Sequence, residues 1–221
     1  MSLKIMRYLL LLALITISVP SFAQKNFSFG IKGGVGISKI ISTTNITNDV
    51  PSVYNHSYPL GFSFGIFIDN YLSKNISIVN EIFYQKSIKK QLGYTSIDGI
   101  LDQKLILQNL MFNILGKFQI EKLWNIYALI GTDIIYLADA EYYYNDLVYG
   151  NNWNDKGIKN ITSNMQQISL SIEFGLGKEI NIYNKDLIIE LRAQYGLNEF
   201  KGIDIGYWRN LGLNFLIGII L

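Results

Sequence analysis

The sequence predicts an all-β protein, an eight-stranded antiparallel up-and-down transmembrane β-barrel, on three observations. Its 221 residues are 49% hydrophobic but only 16% charged, with a mean hydropathy of +0.21, too apolar for an ordinary water-facing surface. Past the N-terminal leader, no run reaches the roughly 18 consecutive apolar residues of a membrane-spanning helix. Instead, short segments of period-two alternation recur, separated by links that alternate between short and long. A barrel with tight turns at one rim and loops at the other requires that rhythm, and a Greek-key sandwich gives no reason for it.

The leader comes first. Lys4 and Arg7 precede an apolar stretch over 8–19, and Ser21-Phe22-Ala23 supplies a small-x-small cleavage site, the pattern of a secretory signal peptide. Residues 1–23 are therefore assigned to the signal peptide and 24–221 to a single barrel domain. The chain has no cysteine, so neither a disulfide framework nor a lipoprotein anchor is available. A net charge of +2 without a basic block excludes the electrostatic footprint of a nucleic-acid binder.

Eight strands follow in order. In the first, Phe27, Phe29, Ile31, Val35 and Ile37 oppose Ser28, Gly30, Lys32, Gly34 and Gly36. The second sets Phe62, Phe64, Ile66 and Ile68 against Gly61, Ser63, Gly65 and Asp69. The third places Ile76, Ile78, Ile82 and Tyr84 opposite Glu81 and Gln85, with Val79 and Phe83 blurring the pattern. In the fourth, Ile106, Leu110, Phe112, Ile114 and Phe118 oppose Asn109, Asn113 and Lys117; in the fifth, Ile126, Ala128, Ile130, Ile134 and Tyr136 oppose Gly131, Asp133 and Asp139. The sixth, QISLSIEFGLG, alternates most cleanly, with Ile168, Leu170, Ile172, Phe174 and Leu176 backed by Ser169, Ser171, Glu173, Gly175 and Gly177. The seventh has Leu187, Ile189, Leu191, Ala193 and Tyr195 against Glu190, Arg192 and Gln194, and the eighth turns Leu211, Leu213, Phe215, Ile217, Ile219 and Leu221 one way.

The short links fall near 70–74, 121–124 and 182–185. Links one, three, five and seven are expected to be loops, the longest over 41–58 and 141–164. Tyr84, Tyr136 and Tyr195 are expected in an upper aromatic girdle, with Phe27, Tyr71, Trp124 and Tyr183 in the lower one.

The segments GIKGGVGIS, GFSFGIFIDNYLSKNISIVNEIFYQKS, ILGKFQI, IYALIGTDIIYLADA, IIELRAQYGLNEF and NLGLNFLIGIIL, in that order, resemble the PorT-like outer-membrane β-barrel family of Bacteroidetes, across essentially the whole mature chain. The resemblance implies a small OmpA/OmpX-type barrel in a Gram-negative outer membrane. Some members of that family are associated with type IX secretion. The chain departs from the pattern at Asn80 and Asn113, where the family often has Pro, and at Leu221, where outer-membrane barrels usually carry an aromatic residue.

Three groups of residues are candidates for function. Lys32, Glu81, Lys117, Asp133, Glu173, Glu190 and Arg192 are the predicted inward charges, expected to pair as a lumen network because eight-stranded barrels are just wide enough for side chains to fill. Lys86, Lys89 and Lys90 lie where the third strand leaves the membrane and could contact lipopolysaccharide phosphates. Tyr142, Tyr143, Tyr144, Tyr149 and Trp153 in the third long loop are a candidate recognition surface. His56, the sole histidine, has Asp49, Ser52 and Ser57 nearby in sequence, the ingredients of a hydrolytic triad without a preorganised scaffold. Gly33-Gly34-x-Gly36 lacks the Lys-Ser/Thr of a phosphate loop.

The expected protein is thus a non-enzymatic, monomeric, integral outer-membrane barrel with surface loops. It is expected to use no cofactor or metal and to have as partners outer-membrane lipid, lipopolysaccharide and envelope proteins. An accessory role in a type IX secretion or gliding apparatus, a lipid A-modifying barrel enzyme and a soluble lipocalin-like binder are the alternatives.

Overall fold

The computed structural model describes residues 27–42, 55–56, 60–95, 99–120, 125–148, 153–183, 185–197, 200–201 and 207–221. The signal peptide assigned to residues 1–23 lies outside the described residues. The strands are β1 (Phe27–Ser42), β2 (Asn55–His56), β3 (Leu60–Tyr71), β4 (Ile76–Thr95), β5 (Gly99–Ile120), β6 (Ile126–Val148), β7 (Trp153–Asn160), β8 (Ile168–Ile182), β9 (Lys185–Gly196), β10 (Phe200–Lys201) and β11 (Tyr207–Ile220), with a 3-10 turn at Thr162–Asn164.

Eight of them form one antiparallel sheet in the order β1-β3-β4-β5-β6-β8-β9-β11, and β11 pairs back onto β1 from Gly30↔Ile220 to Ser42↔Trp208. The sheet is therefore a closed barrel. The short strands β2, β7 and β10 add to β4, β6 and β11.

Alternation along the strands sorts the two faces as expected. Ile31, Phe64 and Leu176 are 50%, 59% and 59% exposed, while Lys32, Glu81 and Arg192 are 4%, 2% and 1% exposed. A water-soluble barrel of the lipocalin type would put its apolar side chains inside; here hydrocarbon covers the outside and charge is inside. That inversion is what a lipid solvent demands, and it makes this an integral membrane barrel rather than a soluble binder.

Several expectations change. The third link is not a loop: β4 and β5 stay paired as far as Thr95↔Gly99, leaving only residues 96–98 between them. Likewise 141–148 continue β6, and Trp153–Asn160 return as β7 beside it, from Val148↔Trp153 to Glu141↔Asn160. The lipid-facing alternation ends at the membrane rim, but the backbone polar groups beyond it are still satisfied by ladder pairing. β4, β5 and β6 run 20, 22 and 23 residues against 12 for β3 and β9. At about 3.3 Å per residue and a tilt of about 40°, one wall stands roughly 25 Å taller than the rest.

The second change concerns the lumen, which is not purely polar. Phe67, Val79, Leu115, Tyr127, Leu129 and Ile188 form one inward cluster, and Phe83, Met111, Ile135 and Leu216 a second. Val79 and Phe83 blur the sequence pattern because they fill a packed interior. Above them the ladder shifts between Gln108 and Asn109, opposite Asp139 and Leu137, so that Ala138 is the extra residue of a bulge. The bulge turns Ala140 inward after Leu137, and both meet Ile161, with Tyr142 and Met165 packed alongside.

Third, Tyr71 is not in the lower girdle. Its hydroxyl meets Ser28 Oγ at 3.3 Å and Lys117 Nζ lies 5.9 Å from its ring centroid, because odd positions of β3 face inward. Tyr183 is 96% exposed at the β8–β9 turn with φ of 49°, and Trp124 lies outside the described residues. Ile106, expected to face outward, is buried, with Ile88 and Glu141 as its register partners.

The closing seam depends on glycine. A Cβ on Gly34 would sit 2.0 Å from Phe215 O and 2.7 Å from Leu216 Cδ2, whereas one on Gly33 meets Ser63 O at 3.5 Å and Phe64 Cβ at 3.9 Å, ordinary contact. Gly34→Ala is therefore expected to cost roughly 1–3 kcal/mol and Gly33→Ala to be nearly neutral, checked by urea unfolding of the two variants in lipid vesicles; equal effects would contradict the seam geometry.

Candidate functional site

The inward charges of β1, β4, β8 and β9 converge at mid-height. Lys32 Nζ donates to Glu81 Oε1 at 2.7 Å and to Glu190 Oε1 at 2.9 Å. Arg192 is the hub. Its Nη1 and Nη2 fork onto Glu81 at 2.6 and 2.7 Å, Nη1 also reaches Glu173 Oε1 at 3.3 Å, Nε donates to Glu190 Oε2 at 2.8 Å, and Nη2 donates to that same oxygen. The bidentate fork suits a planar guanidinium. Tyr127 Oη donates to Glu190 Oε1 at 2.6 Å, and Asn113 Nδ2 donates to Glu81 Oε2 at 3.2 Å and Glu173 Oε2 at 3.4 Å.

Lys117 belongs to a separate layer nearer the short turns. It donates to Asp69 Oδ2 at 2.7 Å and to Glu179 Oε1, and its Nζ lies 4.5 Å from the Tyr127 ring centroid, a cation–π contact in a dry site. Asp133 has no ion-pair partner among the described residues. Its Oδ2 accepts from Ser171 Oγ at 2.9 Å and Gln194 Nε2 at 2.7 Å.

Of the seven predicted lumen charges, five therefore form one connected ion-pair cluster, Lys117 anchors another, and Asp133 sits beside the first. Asp69, Glu179, Asn113 and Tyr127 complete these sets and were not among the sequence candidates. Asp69 and Asn113 carried a signal, being polar residues on the inward parity of their strands; Tyr127 shares the inward parity of Asp133, but an aromatic there gives no sign of a polar partner. A void of about 10 Å³, about one water, is bounded by Ser63, Gln85, Asn113, Glu173, Arg192 and Asn214.

The other candidates lie on the tall wall. Lys86 is half-buried and is the register partner of Phe62 and Gln108, while Lys89 and Lys90 pair with Leu105 and Lys104. Lys104, missed in the sequence, holds its Nζ 5.5 Å from the Tyr143 ring centroid. Tyr143 Oη donates to Glu141 Oε2 at 3.0 Å, and that hydrogen bond to a carboxylate raises the phenol above its ordinary range. Tyr142, the residue before it on β6, packs instead against the Leu137, Ala140 and Ile161 cluster, so these two tyrosines are divided between two faces of the strand. Tyr144 lies within β6 and Trp153 opens β7 opposite Val148, their side chains outside the described set; Tyr149 is outside the described residues altogether. His56 is held on β2 opposite Gln91, and Asp49, Ser52 and Ser57 lie outside the described residues.

Near Tyr84 the outer wall carries a polar chain at the rim. Tyr84 Oη donates to Gln108 Oε1 at 2.7 Å, and Gln108 Nε2 donates to Asp139 Oδ2 at 3.1 Å. Asn160 Nδ2 and Thr162 Oγ1 donate to Asp139 Oδ1 at 2.8 and 3.2 Å, tying β4, β5, β6 and β7 together where hydrocarbon gives way to water.

No protein-family model and no curated protein matches the chain. Among solved structures it is similar to Ail, the attachment invasion locus protein of Yersinia pestis, with 12% identity over 89% of this chain and 100% of that one and a TM-score of 0.42. It is similar also to Neisserial surface protein A, with 14% identity, 89% and 100% coverage and a TM-score of 0.46. The outer membrane protease OmpT from Escherichia coli matches at 10% identity, 88% and 94% coverage and a TM-score of 0.44. The fold described above stands on strand register and closure alone.

Removing Arg192 leaves Glu81, Glu173 and Glu190 without their shared cation. Arg192→Met is expected to destabilise the barrel by roughly 3–5 kcal/mol, and Tyr127→Phe, which loses one hydrogen bond to a carboxylate, by roughly 1.5–3 kcal/mol. Urea unfolding in lipid vesicles, followed by tryptophan fluorescence, checks both.

Proposed function

We infer that the protein is a non-catalytic outer-membrane barrel of a Gram-negative envelope that presents a tall sheet at the cell surface for contact with lipopolysaccharide or an envelope partner. The observation that carries this reading is the combination of a lumen filled by paired charges with strands far longer than the membrane requires. A conducting barrel needs space along its axis, and this one fills that space with Arg192, Lys32 and their carboxylates. Strand length, by contrast, is spent above the rim in β4, β5, β6 and β7. The outer-membrane assignment is supported by the apolar exterior, the tight turns at one end and the signal-peptide pattern of residues 1–23.

For lipopolysaccharide contact, Lys86 and Lys104 are the basic side chains described on the upper parts of β4 and β5, with Lys90 at the register position of Lys104. Ammonium groups at this height meet phosphate as point charges. Lys89 and Lys90 complete the basic set read from the sequence. A role in a type IX secretion or gliding apparatus is the second reading, supported by the resemblance of the segments to PorT-like proteins; its test is co-purification with large envelope partners. The lipid A-modifying alternative rests on His56, and unchanged lipid A chemistry after His56→Ala would remove it.

Replacing Lys86 and Lys104 together by Gln is expected to lower the lipopolysaccharide retained through mild detergent extraction by roughly fivefold per charge removed. Retention equal to that of the parent chain would count against a lipid-phosphate role and favour a protein partner.

A further inference from the structure

The lipid-facing surface of the barrel is not even. One register row of outward residues runs Ile217, Gly33, Phe64, Tyr84 and Leu110 across β11, β1, β3, β4 and β5, and in it only Gly33 has no side chain. The row below, from Ile219 through Ile31 and Ile66 to Ile82, is filled throughout. The missing side chain leaves an open groove of about 790 Å³ walled by hydrocarbon, within the roughly 300–1,000 Å³ of small-molecule sites. Phe64 and Tyr84 stiffen one wall, their ring centroids 5.4 Å apart.

The slant of the groove follows from the stagger of the strands. Register followed once round the barrel from Phe29 returns to β1 at Lys39, ten residues further along, so each row climbs from β1 toward β5 at roughly 40°. The groove therefore rises from Leu187 on β9 to Tyr84 and Leu110, roughly 20 Å along the membrane normal, enough for a chain crossing the 15 Å or so of one leaflet's hydrocarbon. Its upper end is polar. The next outward positions above Tyr84 and Leu110 are Lys86 and Gln108, register partners of each other. Gln108 is committed, accepting from Tyr84 Oη at 2.7 Å and donating to Asp139 at 3.1 Å. The Lys86 side chain has no ion-pair or hydrogen-bond partner among the described residues, so an unpaired ammonium stands at the head of a hydrocarbon slot.

We propose that this groove seats one acyl chain of the phosphorylated glycolipid of the outer leaflet, lipid A, with a phosphate of the same molecule on Lys86. The inference rests on the lipopolysaccharide reading above and adds to it the place of the hydrocarbon. Apolar affinity alone selects nothing here, since bulk lipid is as apolar as the groove. Selection comes from a fixed charge set over a notch that one chain fills, where dispersion contacts replace a gap. The outer leaflet is the source because Lys86 stands at the rim where β4, β5 and β6 run on beyond the membrane. The lower end of the groove lies two residues above Lys185, at the tight-turn rim, where an inner-leaflet phospholipid would place its phosphate instead.

The test is native mass spectrometry of the mature chain released from detergent after incubation with bis-phosphorylated lipid A or with phosphatidylethanolamine, for the parent and for Gly33→Leu, Lys86→Gln and Lys185→Gln. Gly33→Leu carries a side chain into the groove and leaves the charge alone, and a Cβ at that position makes only ordinary contacts. The parent is expected to retain one lipid A. Gly33→Leu is expected to lower the bound fraction about threefold or more, Lys86→Gln to lower it about fivefold, and Lys185→Gln to leave it unchanged. Folding of each variant is read from electrophoretic mobility without boiling; should Gly33→Leu fail to fold, Gly33→Ala is expected to lower retention by a smaller factor. Retention equal to the parent's in the folded Gly33 variant, with loss in Lys86→Gln, would overturn the groove and leave the phosphate contact standing, whereas loss in neither would remove both. Phosphatidylethanolamine held as firmly as lipid A, a loss confined to Lys185→Gln, or paired barrels in place of lipid adducts would each overturn the proposal in favour of another occupant.

Discussion

A strand in hydrocarbon has no water to satisfy its N–H and C=O groups, so the sheet must close on itself. The β1–β11 seam is where that obligation is met. Its ladder runs from Gly30↔Ile220 to Ser42↔Trp208, and Gly34 lets β1 lie against Phe215 and Leu216, where a Cβ would collide with backbone. Closure with eight strands then decides the interior, since a barrel of that size leaves room for side chains and little else.

From that narrowness follows the electrostatics. Charges on the inward parity of four strands cannot reach water and must satisfy one another. Arg192 on β9 does this by joining Glu81 on β4 and Glu173 on β8, while Lys32 on β1 links Glu81 to Glu190. Buried ion pairs of this kind add little net stability over a hydrophobic equivalent, but breaking one leaves an unpaired charge. The network therefore penalises any register in which these strands do not meet. Apolar clusters around Leu115 and Phe83 fill the space between the charged layers.

The barrel itself was legible in the sequence because lipid outside and charge inside impose opposite chemistry on successive residues, as Ile172 and Glu173 show. The seven inward charges were legible for the same reason, parity being enough to place Lys32 or Glu190. What parity cannot supply is the pairing, which depends on register around the barrel: Asp69 and Glu179 find Lys117 from strands far apart in sequence. Nor could it give strand length above the rim, where alternation loses its lipid reference. The stretch 141–148 reads as a tyrosine-rich loop and is instead the top of β6, with Tyr142 in a small apolar cluster and Tyr143 on Glu141. The Ala138 bulge, which reverses the parity between them and Leu137, leaves no mark in composition.

The central claim is that the wall formed by β8 faces lipid with one set of residues and a closed, dry lumen with the other. Single nitroxide labels at successive positions from Ile168 to Gly177, introduced through cysteine in a chain that has none, measure this directly by their relaxation with dissolved oxygen and with a water-soluble nickel chelate in lipid bilayers. The even positions, Ile168 to Leu176, are predicted to be reached by oxygen and not by nickel, and the odd positions, Ser169 to Gly177, by neither. Odd positions open to nickel would reveal a water-filled pore, and even positions shielded from oxygen would mean that the apolar face is packed against protein rather than lipid; either result contradicts the account.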